Sequence, residues 1–534
     1  MKLDYKKVFY VGLAFFIISI FWQTYDNIIT KILIDKFGLN QTWSGVVMAL
    51  DNVLALFMLP LFGAISDKTN HKLGRRTPYV IVGTVVAAFA FIGLSFVDNL
   101  QTARIEDTAI IEKYEWITES TDDVREKPLY WTAILLEMHG DRTLALASGD
   151  ITQASYDRYM DSVYTPMSEL LTENGAEDLD AIELSYLDGY YHRYLSELAW
   201  QVTIENPVNL VVFVVVLLIA LVAMSVFRSP AVSLMPDVTM KPLRSKANAI
   251  INLMGAAAGV TSLILLTVLG LGGKSYVHYA GAFISVGVIM LLVLVIFLWK
   301  VKEPKLVAEK EADDQTFGLI EEEGEVHDMH DLPKDKRLSL FLILGSVFLW
   351  FMGYNAVMTK VSDYAPKILQ LPSFTLPLLV ANVTAIIAFI PIGILSTKFG
   401  RRKTILAGIV LLTLCFGSVF FLSKDTGWVM FIVFGLTGIG WATINVNSYP
   451  MVVELAKGSN VGKYTGYYYA FSMAAQILTP ILSGFFMDLI HPKVLFPYAT
   501  LFVALAFVTM FLTKHGDAAV EKKSILENFD VDMD

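Results

Sequence analysis

Two similar stretches, GAISDKTNHKLGRR at residues 63–76 and GILSTKFGRRK at residues 393–403, decide how this chain is built. Each stretch follows a long apolar segment and precedes another. Each therefore predicts a short basic turn between two membrane-spanning helices. Because the turn recurs about 330 residues later, we predict one helical bundle built twice, with two halves that rock about a site between them.

The composition indicates a membrane protein. Of the 534 residues, 55% are hydrophobic and 17% are charged, and the mean hydropathy is +0.56. A run of about 20 apolar residues crosses the roughly 30 Å hydrocarbon core of a bilayer. We therefore predict an all-α integral membrane protein with two pseudo-symmetric halves of six helices. The twelve predicted spans lie near residues 8–33, 42–65, 78–97, 207–227, 247–271, 277–299, 339–361, 374–396, 404–423, 428–449, 464–488 and 494–513.

Basic residues predict the orientation. They cluster in the two short connections at 68–76 and 398–403, whereas the connections on the other side carry few. Lys and Arg in short loops favour the cytoplasmic side, so we expect both termini in the cytoplasm of a cell-membrane protein. The predicted organisation is N-terminal helices 1–3 at 1–97, an extracytoplasmic insert at 98–206, N-terminal helices 4–6 at 207–301, a cytoplasmic linker at 302–337, a C-terminal six-helix bundle at 338–514 and a cytoplasmic tail at 515–534.

Two segments fall outside the predicted bundle. Residues 98–206 carry 23 acidic and 7 basic residues and no cysteine. We interpret this insert as a solvated cap or small folded domain, with capture of a substrate or partner as the alternative. The linker contains an acidic stretch, 321–331, that is typical of a flexible tether.

The repeat extends from the loops into the helices, where it is broken at two acids. Asp26 in the first predicted helix corresponds to Asn355 in the seventh, and Asp51 in the second corresponds to Ala381 in the eighth. Charged residues inside the membrane are costly and mark functional sites. Because both acids lie in the N-terminal half, we predict that this half carries a coupling cation through Asp26 and Asp51.

The coupling ion is predicted to be a proton. Burial favours the neutral form of a carboxylic acid, so an intramembrane acid can take up and release a proton. The alternative role is structural, with the acid held by an interhelical partner such as Lys31 or Lys360.

Polar side chains in the other predicted helices suggest a solute site. Amides donate and accept hydrogen bonds and suit hydroxyl-rich solutes, while tryptophans can stack on a sugar ring. For each isolated amide or hydroxyl, the alternative is an interhelical hydrogen bond. The predicted solute-binding residues are Gln23, Asn27, Asn52, Asn355, Thr359, Asn382, Asn445, Gln476, Trp350 and Trp441.

The repeated loops carry candidate gating residues. Gly63 and Gly393 are small enough to let neighbouring helices approach closely. Asp67 can pair with Arg75 or Arg76, and we expect this charge pair to break when the cytoplasmic side opens. The alternative is that the basic loops only determine topology.

These loops resemble a known family signature. The pattern Gly-x3-Asp-Lys…Gly-Arg-Arg resembles the signature loop of the major facilitator superfamily, whose members are twelve-helix transporters. The stretch DNVLALFMLPLFGAISDKTNHKLGRRTP, at 51–78, resembles the plant sucrose–proton symporters and, more distantly, the glycoside–pentoside–hexuronide:cation symporters. Residues 228–250 and 440–471 are similar to the connections between helices four and five and between ten and eleven of these families. The resemblance leaves out the insert, which these families do not carry at this size.

The resemblance adds further gating candidates in the matching connections. In the second loop Thr397 stands where the first has Asp67, which predicts a weaker latch. The added candidates are Asp237, Arg244, Arg401, Arg402 and Glu454.

The resemblance also bears on the ion. Sodium-using sugar symporters of the wider family place two acids four residues apart on helix two. The corresponding positions here, near Ala55 and Leu59, are apolar. This difference favours a proton over sodium.

The predicted function is secondary active transport of a sugar or glycoside with a proton, by alternating access. The alternatives are a carrier of another small organic solute or amphipathic lipid, a sodium-coupled carrier, and a non-transporting sensor that uses the insert as a receptor. The sequence has no phosphate loop, nucleophile–base pair or H-E-x-x-H motif, so we do not expect an enzyme or a cofactor. We expect a monomer in the lipid bilayer that binds a small polar solute and no nucleic acid.

Overall fold

A computed structural model describes residues 3–175, 177–240, 243–317, 333–455 and 461–516. Twelve helices in these residues are long and apolar enough to cross a membrane, which confirms the predicted number of spans. The described part of the chain contains no β-strand. Numbered in chain order, the spanning helices are α1 (Tyr5–Lys31), α2 (Gln41–Asp67), α3 (Thr77–Glu106), α10 (Val208–Val238), α11 (Arg244–Val268), α12 (Ala280–Lys300), α14 (Lys334–Ile368), α15 (Thr375–Phe399), α16 (Arg401–Val419), α17 (Val429–Glu454), α18 (Val461–Leu489) and α19 (Leu495–Leu512).

Several spanning helices are longer than the hydrophobic runs that predict them. The fourth predicted span ends at residue 227, whereas α10 continues to Val238 through Pro230 and Pro236. The seventh ends at residue 361, whereas α14 continues to Ile368. These extra turns are polar, so they fall outside a hydropathy window although their backbone stays helical. Arg228 therefore lies inside a spanning helix rather than in a loop.

Each half has its own apolar core. In the N-terminal half Phe91 packs against Phe21 and Phe283, with ring centroids 4.8 and 4.9 Å apart. The buried side chains of the C-terminal half form a second cluster, which Leu263 of α11 joins from the other half. Two largely separate cores let the halves move as units.

The insert is a folded helical unit in the described residues. Its helices surround a third core that includes Trp131 and Tyr194, both fully buried. Asp180 begins the longest of them with a reciprocal hydrogen bond to Glu183, a capping box. The insert helices are α4 (Ile110–Glu119), α5 (Asp122–Arg125), α6 (Pro128–Ser148), α7 (Gln153–Tyr159), α8 (Thr165–Asn174) and α9 (Ala181–Glu205).

The two ends of the bundle differ in what they carry. We call the end where α3 stops at Glu106 and α10 starts at Val208 the insert end, and the end with the loops at 68–76 and 398–403 the loop end. The linker contributes one further helix, α13 (Glu303–Phe317), at the loop end. The acidic stretch 321–331 lies outside the described residues, as does the tail from residue 517.

Candidate functional site

A central cavity of about 230 Å³ lies between the two halves. The N-terminal half contributes side chains from α1, α2 and α10, and the C-terminal half contributes side chains from α14 and α18. Six of the predicted coupling and solute-binding residues border it: Asp26, Asp51, Asn52, Asn355, Thr359 and Gln476. The fold thus gathers into one place residues that are up to about 450 positions apart in the sequence.

The two intramembrane acids share this cavity but have different partners. The Asn52 amide donates a 2.7 Å hydrogen bond to Asp51. Asp26 has no hydrogen-bond or ion-pair partner among the described residues. Neither Lys31 nor Lys360 is its partner, because Lys31 faces the ring of Phe374 and Lys360 donates to a backbone carbonyl.

A third charged residue, Arg228 of α10, borders the same cavity. Its guanidinium interacts electrostatically with Asp26 and Asp51, yet no carboxylate oxygen in the described part of the chain lies within 4.0 Å of it. It also lies over the indole ring of Trp22, 5.9 Å from the ring centre. Sequence reasoning missed Arg228 because it placed this residue after the end of the fourth span. The signal was a lone arginine directly following about 20 apolar residues.

The four polar residues beside the acids leave hydrogen-bonding groups available. The Thr359 hydroxyl donates to the Asn355 carbonyl at 2.8 Å, whereas the side-chain amide nitrogen of Asn355 has no partner in the described residues. The Gln476 amide donates only a 3.2 Å bond to a carbonyl of its own helix. Buried polar groups are costly when unpaired, so these amides favour a polar occupant.

Other predicted solute-binding residues lie away from the cavity lining. Asn27 is buried and donates to the Gln23 carbonyl at 2.7 Å, and Gln23 itself lies against Gly259 of α11. Asn382 donates to its own helix at Leu378. The bonds of Asn27 and Asn382 are therefore made within their own helices and are not the interhelical hydrogen bonds considered as the alternative.

The remaining three predicted solute-binding residues also differ from expectation. Trp350 is fully buried in the C-terminal core, so the prediction that it stacks on a solute is wrong for this conformation. Trp441 stacks on Tyr354, with ring centroids 3.7 Å apart and planes 7° apart, so one of its faces is occupied. Asn445 is exposed on α17 and does not border the cavity.

At the loop end, Arg76 is the centre of a charge network within the N-terminal half. Its guanidinium pairs with Asp67, donates from Nε to Asp237 at 2.8 Å and contacts the Ser66 hydroxyl. Burial by itself lowers the pKa of Arg76, but these two carboxylates outweigh burial and raise that pKa. Arg75 lies 3.8 Å from Asp237. The predicted pairing is present, but it joins elements of one half, so separating the halves does not itself break it.

Glu303, a residue that sequence reasoning missed, holds this loop against the linker. Its fully buried carboxylate accepts hydrogen bonds from the backbone nitrogens of Arg75, Arg76 and Thr77, at 2.7, 3.0 and 2.8 Å. It therefore occupies the N-terminus of α3, where an anion is favoured. The sequence around the start of α3 has no motif that predicts this cap, because Glu303 lies more than 200 residues away in the chain.

The corresponding loop of the C-terminal half has different partners in the described residues. Arg401 pairs with Glu454 at 3.3 Å, and Arg402 donates to backbone carbonyls at the end of α19. Gly63 lies close to the Ser229 hydroxyl, but no described atom of another helix lies within 4 Å of where a Cβ of Gly393 would be. The predicted close approach is therefore wrong at Gly393 in this conformation. The side chain of Thr397 lies outside the described residues.

The last gating candidate, Arg244, begins α11 and contacts the end of α10. It donates to the carbonyls of Pro236 and Thr239, at 3.2 and 3.3 Å. It thus ties the α10–α11 connection within the N-terminal half.

At the insert end, polar contacts run between the halves. Lys367 of α14 lies 2.5 Å from Asp35, in the π-helical turn Ile32–Lys36 that follows α1, and Lys360 donates to the Gln41 carbonyl at 2.9 Å. A Cβ on Gly45 would lie 2.1 Å from the Pro480 carbonyl oxygen, so α2 and α18 touch there only because this residue is glycine. The halves are therefore joined at the insert end in this conformation.

The insert itself spans this junction. Asp188 of α9 pairs with Arg125 of α5, and its other oxygen accepts a hydrogen bond from Gln370 of the C-terminal half. The junction also includes an ion pair between Asp122 and Lys424. Further contacts between the insert and the C-terminal half are Arg193 to the Met487 carbonyl at 2.8 Å, Lys493 to Ser185 at 2.6 Å and His491 to the Tyr186 carbonyl at 3.1 Å.

A charged cavity between two six-helix halves, with networks that differ at its two ends, defines this protein as a membrane transporter. The family comparison agrees. The model described as "Major Facilitator Superfamily" matches residues 198–388 and 373–529, and the model described as "MFS/sugar transport protein" matches residues 10–111. The chain belongs to the major facilitator superfamily.

Individual relatives are distant. The sucrose transport protein SUC4 of Arabidopsis thaliana is 25% identical over 138 residues, which are 24% of this chain and 26% of that protein. The match thus spans about a quarter of that curated relative. The inward open xylose transporter XylE from E. coli is 12% identical over 99% of both chains, with a TM-score of 0.56. A peptide transporter, POT, solved with sulfate is 10% identical over 96% of this chain and 95% of its own, with a TM-score of 0.58. These structural likenesses establish the fold alone.

Proposed function

We propose that this transporter moves a sugar or glycoside together with a proton by alternating access. The observation that carries the proposal is the grouping of Asp26, Asp51 and Arg228 around one cavity between the halves. Two carboxylates beside one guanidinium hold one excess negative charge when all are ionised. Uptake of one proton neutralises the group, which lowers the cost of carrying it through a state closed to both sides.

The lining also supports a hydroxyl-rich solute. Asn52, Asn355 and Gln476 supply amides, Thr359 supplies a hydroxyl, and Trp22 supplies a ring. At about 230 Å³ the cavity is smaller than typical ligand pockets of about 300–1,000 Å³. It encloses a compact solute, and it must widen to enclose a disaccharide.

The direction of access follows from the contacts between the halves. Lys367 to Asp35, Lys360 to the Gln41 carbonyl and the insert contacts join the halves at the insert end. Opening toward that end requires breaking them. If the basic loop end faces the cytoplasm of a cell-membrane protein, this conformation is one that is closed toward the outside.

Transport in proteoliposomes tests the proposal. We expect the wild-type protein to accumulate a labelled sugar when the outside is acidic, and to exchange it in counterflow without a gradient. Asp51→Asn removes the titratable carboxyl but keeps its shape, so it should lose accumulation at least tenfold and retain counterflow. Asp314→Asn on α13, an acid paired with Lys310 far from the cavity, is the matched control and should accumulate normally.

The outcomes separate the alternatives. Full proton-driven accumulation by Asp51→Asn would contradict the coupling role of this residue. If the sugar accumulated in response to a sodium gradient and not to a proton gradient, the coupling ion would be sodium rather than a proton. Absence of counterflow with every sugar in a panel of mono- and disaccharides, in a protein that exchanges another organic solute, would overturn the substrate class.

A further inference from the structure

A second and larger cavity, of about 780 Å³, lies at the insert end. Its walls come from three parts of the molecule: α2 of the N-terminal half, α9 of the insert and α14 of the C-terminal half. The proposed transport mechanism does not use it. Its volume is within the range of ligand pockets, about 300–1,000 Å³.

The carboxylates that border this cavity are already engaged. Each of them either forms an ion pair or accepts a hydrogen bond from a nearby donor. The three pairs are Glu197 with Arg142 at 3.0 Å, Asp488 with the backbone nitrogen of Thr42 at 2.7 Å, and Asp363 with Lys367 at 2.5 Å.

Two arginines on the same walls have no carboxylate partner. Arg193 donates to the carbonyls of Met487 and Ser162, at 2.8 and 3.2 Å, and forms no ion pair within the described residues. Arg158 is exposed and forms neither a hydrogen bond nor an ion pair in the described part of the chain. The insert has 23 acids for 7 basic residues, yet neither of these two arginines has a carboxylate within 4.0 Å in the described residues. Glu197, which is paired with Arg142, acts on both only at longer range, as Asp488 does on Arg193. One arginine can bind a phosphate through two parallel hydrogen bonds, so these two guanidinium groups point to an anionic occupant.

The opposite wall is apolar and lies at the membrane surface. Trp43 and Val47 are in the first two turns of α2, and Leu210 and Val214 are in the first two turns of α10. Trp43 is 62% exposed, and exposed tryptophans at helix ends sit at the level of lipid headgroups. An occupant of this cavity therefore meets two arginines on one side and the beginning of the hydrocarbon on the other.

We propose that this cavity binds an anionic phospholipid, with its phosphate on Arg158 and Arg193 and the upper part of an acyl chain along Val47, Leu210 and Val214. Basic pockets between spanning helices bind anionic headgroups on the cytoplasmic side of membrane proteins, and Arg158 and Arg193 offer the same phosphate-binding groups at the insert end. Because Tyr364 and Asp488 of the C-terminal half also border the cavity, it is complete only while the insert end is closed. The lipid therefore stabilises this conformation over the one open at the insert end.

Thermal unfolding of the purified full-length protein in detergent tests the proposal. The probes are dioctanoyl phosphatidylglycerol, dioctanoyl phosphatidylcholine and glycerol 3-phosphate. We expect phosphatidylglycerol to raise Tm in a saturable manner, and the other two to have at least tenfold weaker effects. Arg158→Gln should weaken the apparent affinity several-fold and Arg193→Gln at least tenfold.

Arg104→Gln is the matched control. Arg104 lies in the last turn of α3 and has no carboxylate partner among the described residues. It donates to the Asn206 carbonyl at 3.0 Å, but it does not border the cavity. It should respond to phosphatidylglycerol as the wild-type protein does. Arg158 is exposed, so its variant should fold even if Arg193→Gln does not.

Three results would overturn the proposal. An equal increase in Tm with phosphatidylcholine would show that the anionic headgroup is not recognised. An unchanged increase in Tm with phosphatidylglycerol in Arg158→Gln would show that the lipid does not bind in this cavity. A shift of equal size with glycerol 3-phosphate would make the occupant a free phosphate ester rather than a lipid. None of these results depends on whether the protein transports a sugar.

Discussion

The insert end and the loop end of the bundle use charged residues in opposite ways. At the insert end, charges join the halves, as Lys367 does with Asp35 at 2.5 Å. At the loop end, the charge networks that we describe stay within one half, as Arg76 does with Asp67 and Asp237. The basic motif that makes the family recognisable thus braces each half internally. Among the described residues, the polar contacts that join the halves lie at the other end, and some of them come from an insert that is absent from the family signature.

Substitutions at the insert end should therefore change the conformation of the protein, whereas substitutions at the loop end should change only local order within one half. A reporter that measures access from the insert side separates them. A cysteine at Asn52, in a Cys415→Ser background, reacts with a membrane-impermeant maleimide from that side only when the insert end opens. The rate of this reaction therefore reports how often the insert end opens.

Lys367→Met should have the largest effect. Lys367 lies 2.5 Å from both Asp35 and Asp363, and all three side chains are buried. Removing one partner of a buried ion pair costs about 3–5 kcal/mol, because the remaining charges are left unpaired. We therefore expect labelling at position 52 to rise by two orders of magnitude or more, as about 1.4 kcal/mol corresponds to tenfold.

The control for this variant is Lys310→Met. Lys310 also pairs with an Asp of its own helix, Asp314 at 2.7 Å, but on α13 at the loop end. It should leave labelling unchanged. A similar increase in both variants would contradict the distinction between the two ends.

Gln370→Gly should have an intermediate effect. It removes both hydrogen bonds of the Gln370 side chain, the one it donates to Asp188 and the one it accepts from Arg125, while the Arg125–Asp188 pair inside the insert remains. Gln370 has a φ of +48°, a left-handed conformation that glycine adopts without strain, so this replacement removes the two bonds without straining the backbone. A hydrogen bond to a charged group contributes about 1.5–3 kcal/mol, and labelling should rise at least tenfold. Labelling at the wild-type rate would show that the insert does not hold the halves together through Asp188.

Acid pH should loosen the insert end through His491. Burial first, and then the nearby Arg193 and Lys493, lower the pKa of His491 to about 3, whereas a solvated histidine has a pKa of about 6.5. The open form therefore binds the proton more readily, so the closed form is fully favoured above about pH 6.5 and loses stability as the pH falls from there toward 3. Between pH 7.5 and 5.5, this group alone should raise labelling about tenfold.

The variant His491→Gln isolates this effect. A glutamine amide can keep the contacts to the Tyr186 carbonyl and the Lys493 nitrogen but does not titrate. Burial raises the pKa of Asp188, which favours the closed form in acid, so the informative quantity is the difference between wild-type and His491→Gln. Identical pH profiles of the two proteins would exclude His491 as the responding group.

Lys424→Ala should have the smallest effect. Its ion pair with Asp122 joins the C-terminal half to the insert, but both side chains are about half exposed. Exposed ion pairs contribute about 0–1 kcal/mol, so labelling should rise by less than about fivefold. Lys127→Ala, which breaks an equally exposed pair with Asp178 inside the insert, should leave it unchanged. A larger effect from Lys127 would show that folding of the insert, rather than its contact with the C-terminal half, controls closure.

The sequence predicted part of the central site for a definable reason. Asp26 and Asp51 stand out because a charge inside an apolar run is costly wherever the helix packs, so position along the chain suffices to identify them. Amides and tryptophans give no such signal, because these side chains occur in contacts between helices as well as in solute-binding sites. Asn355 and Gln476 accordingly border the cavity, whereas Asn27 packs against its own helix and Trp350 fills the core.

By itself, the sequence determined the twelve helices, the duplication and the family, since hydrophobic runs and a repeated basic loop are local patterns. Only the tertiary structure decided that Arg228 joins the two acids, that Glu303 caps the signature loop and that the insert connects both halves. Each of these contacts joins residues far apart in the chain, and its strength depends on burial and distance. Neither quantity exists until the helices have packed.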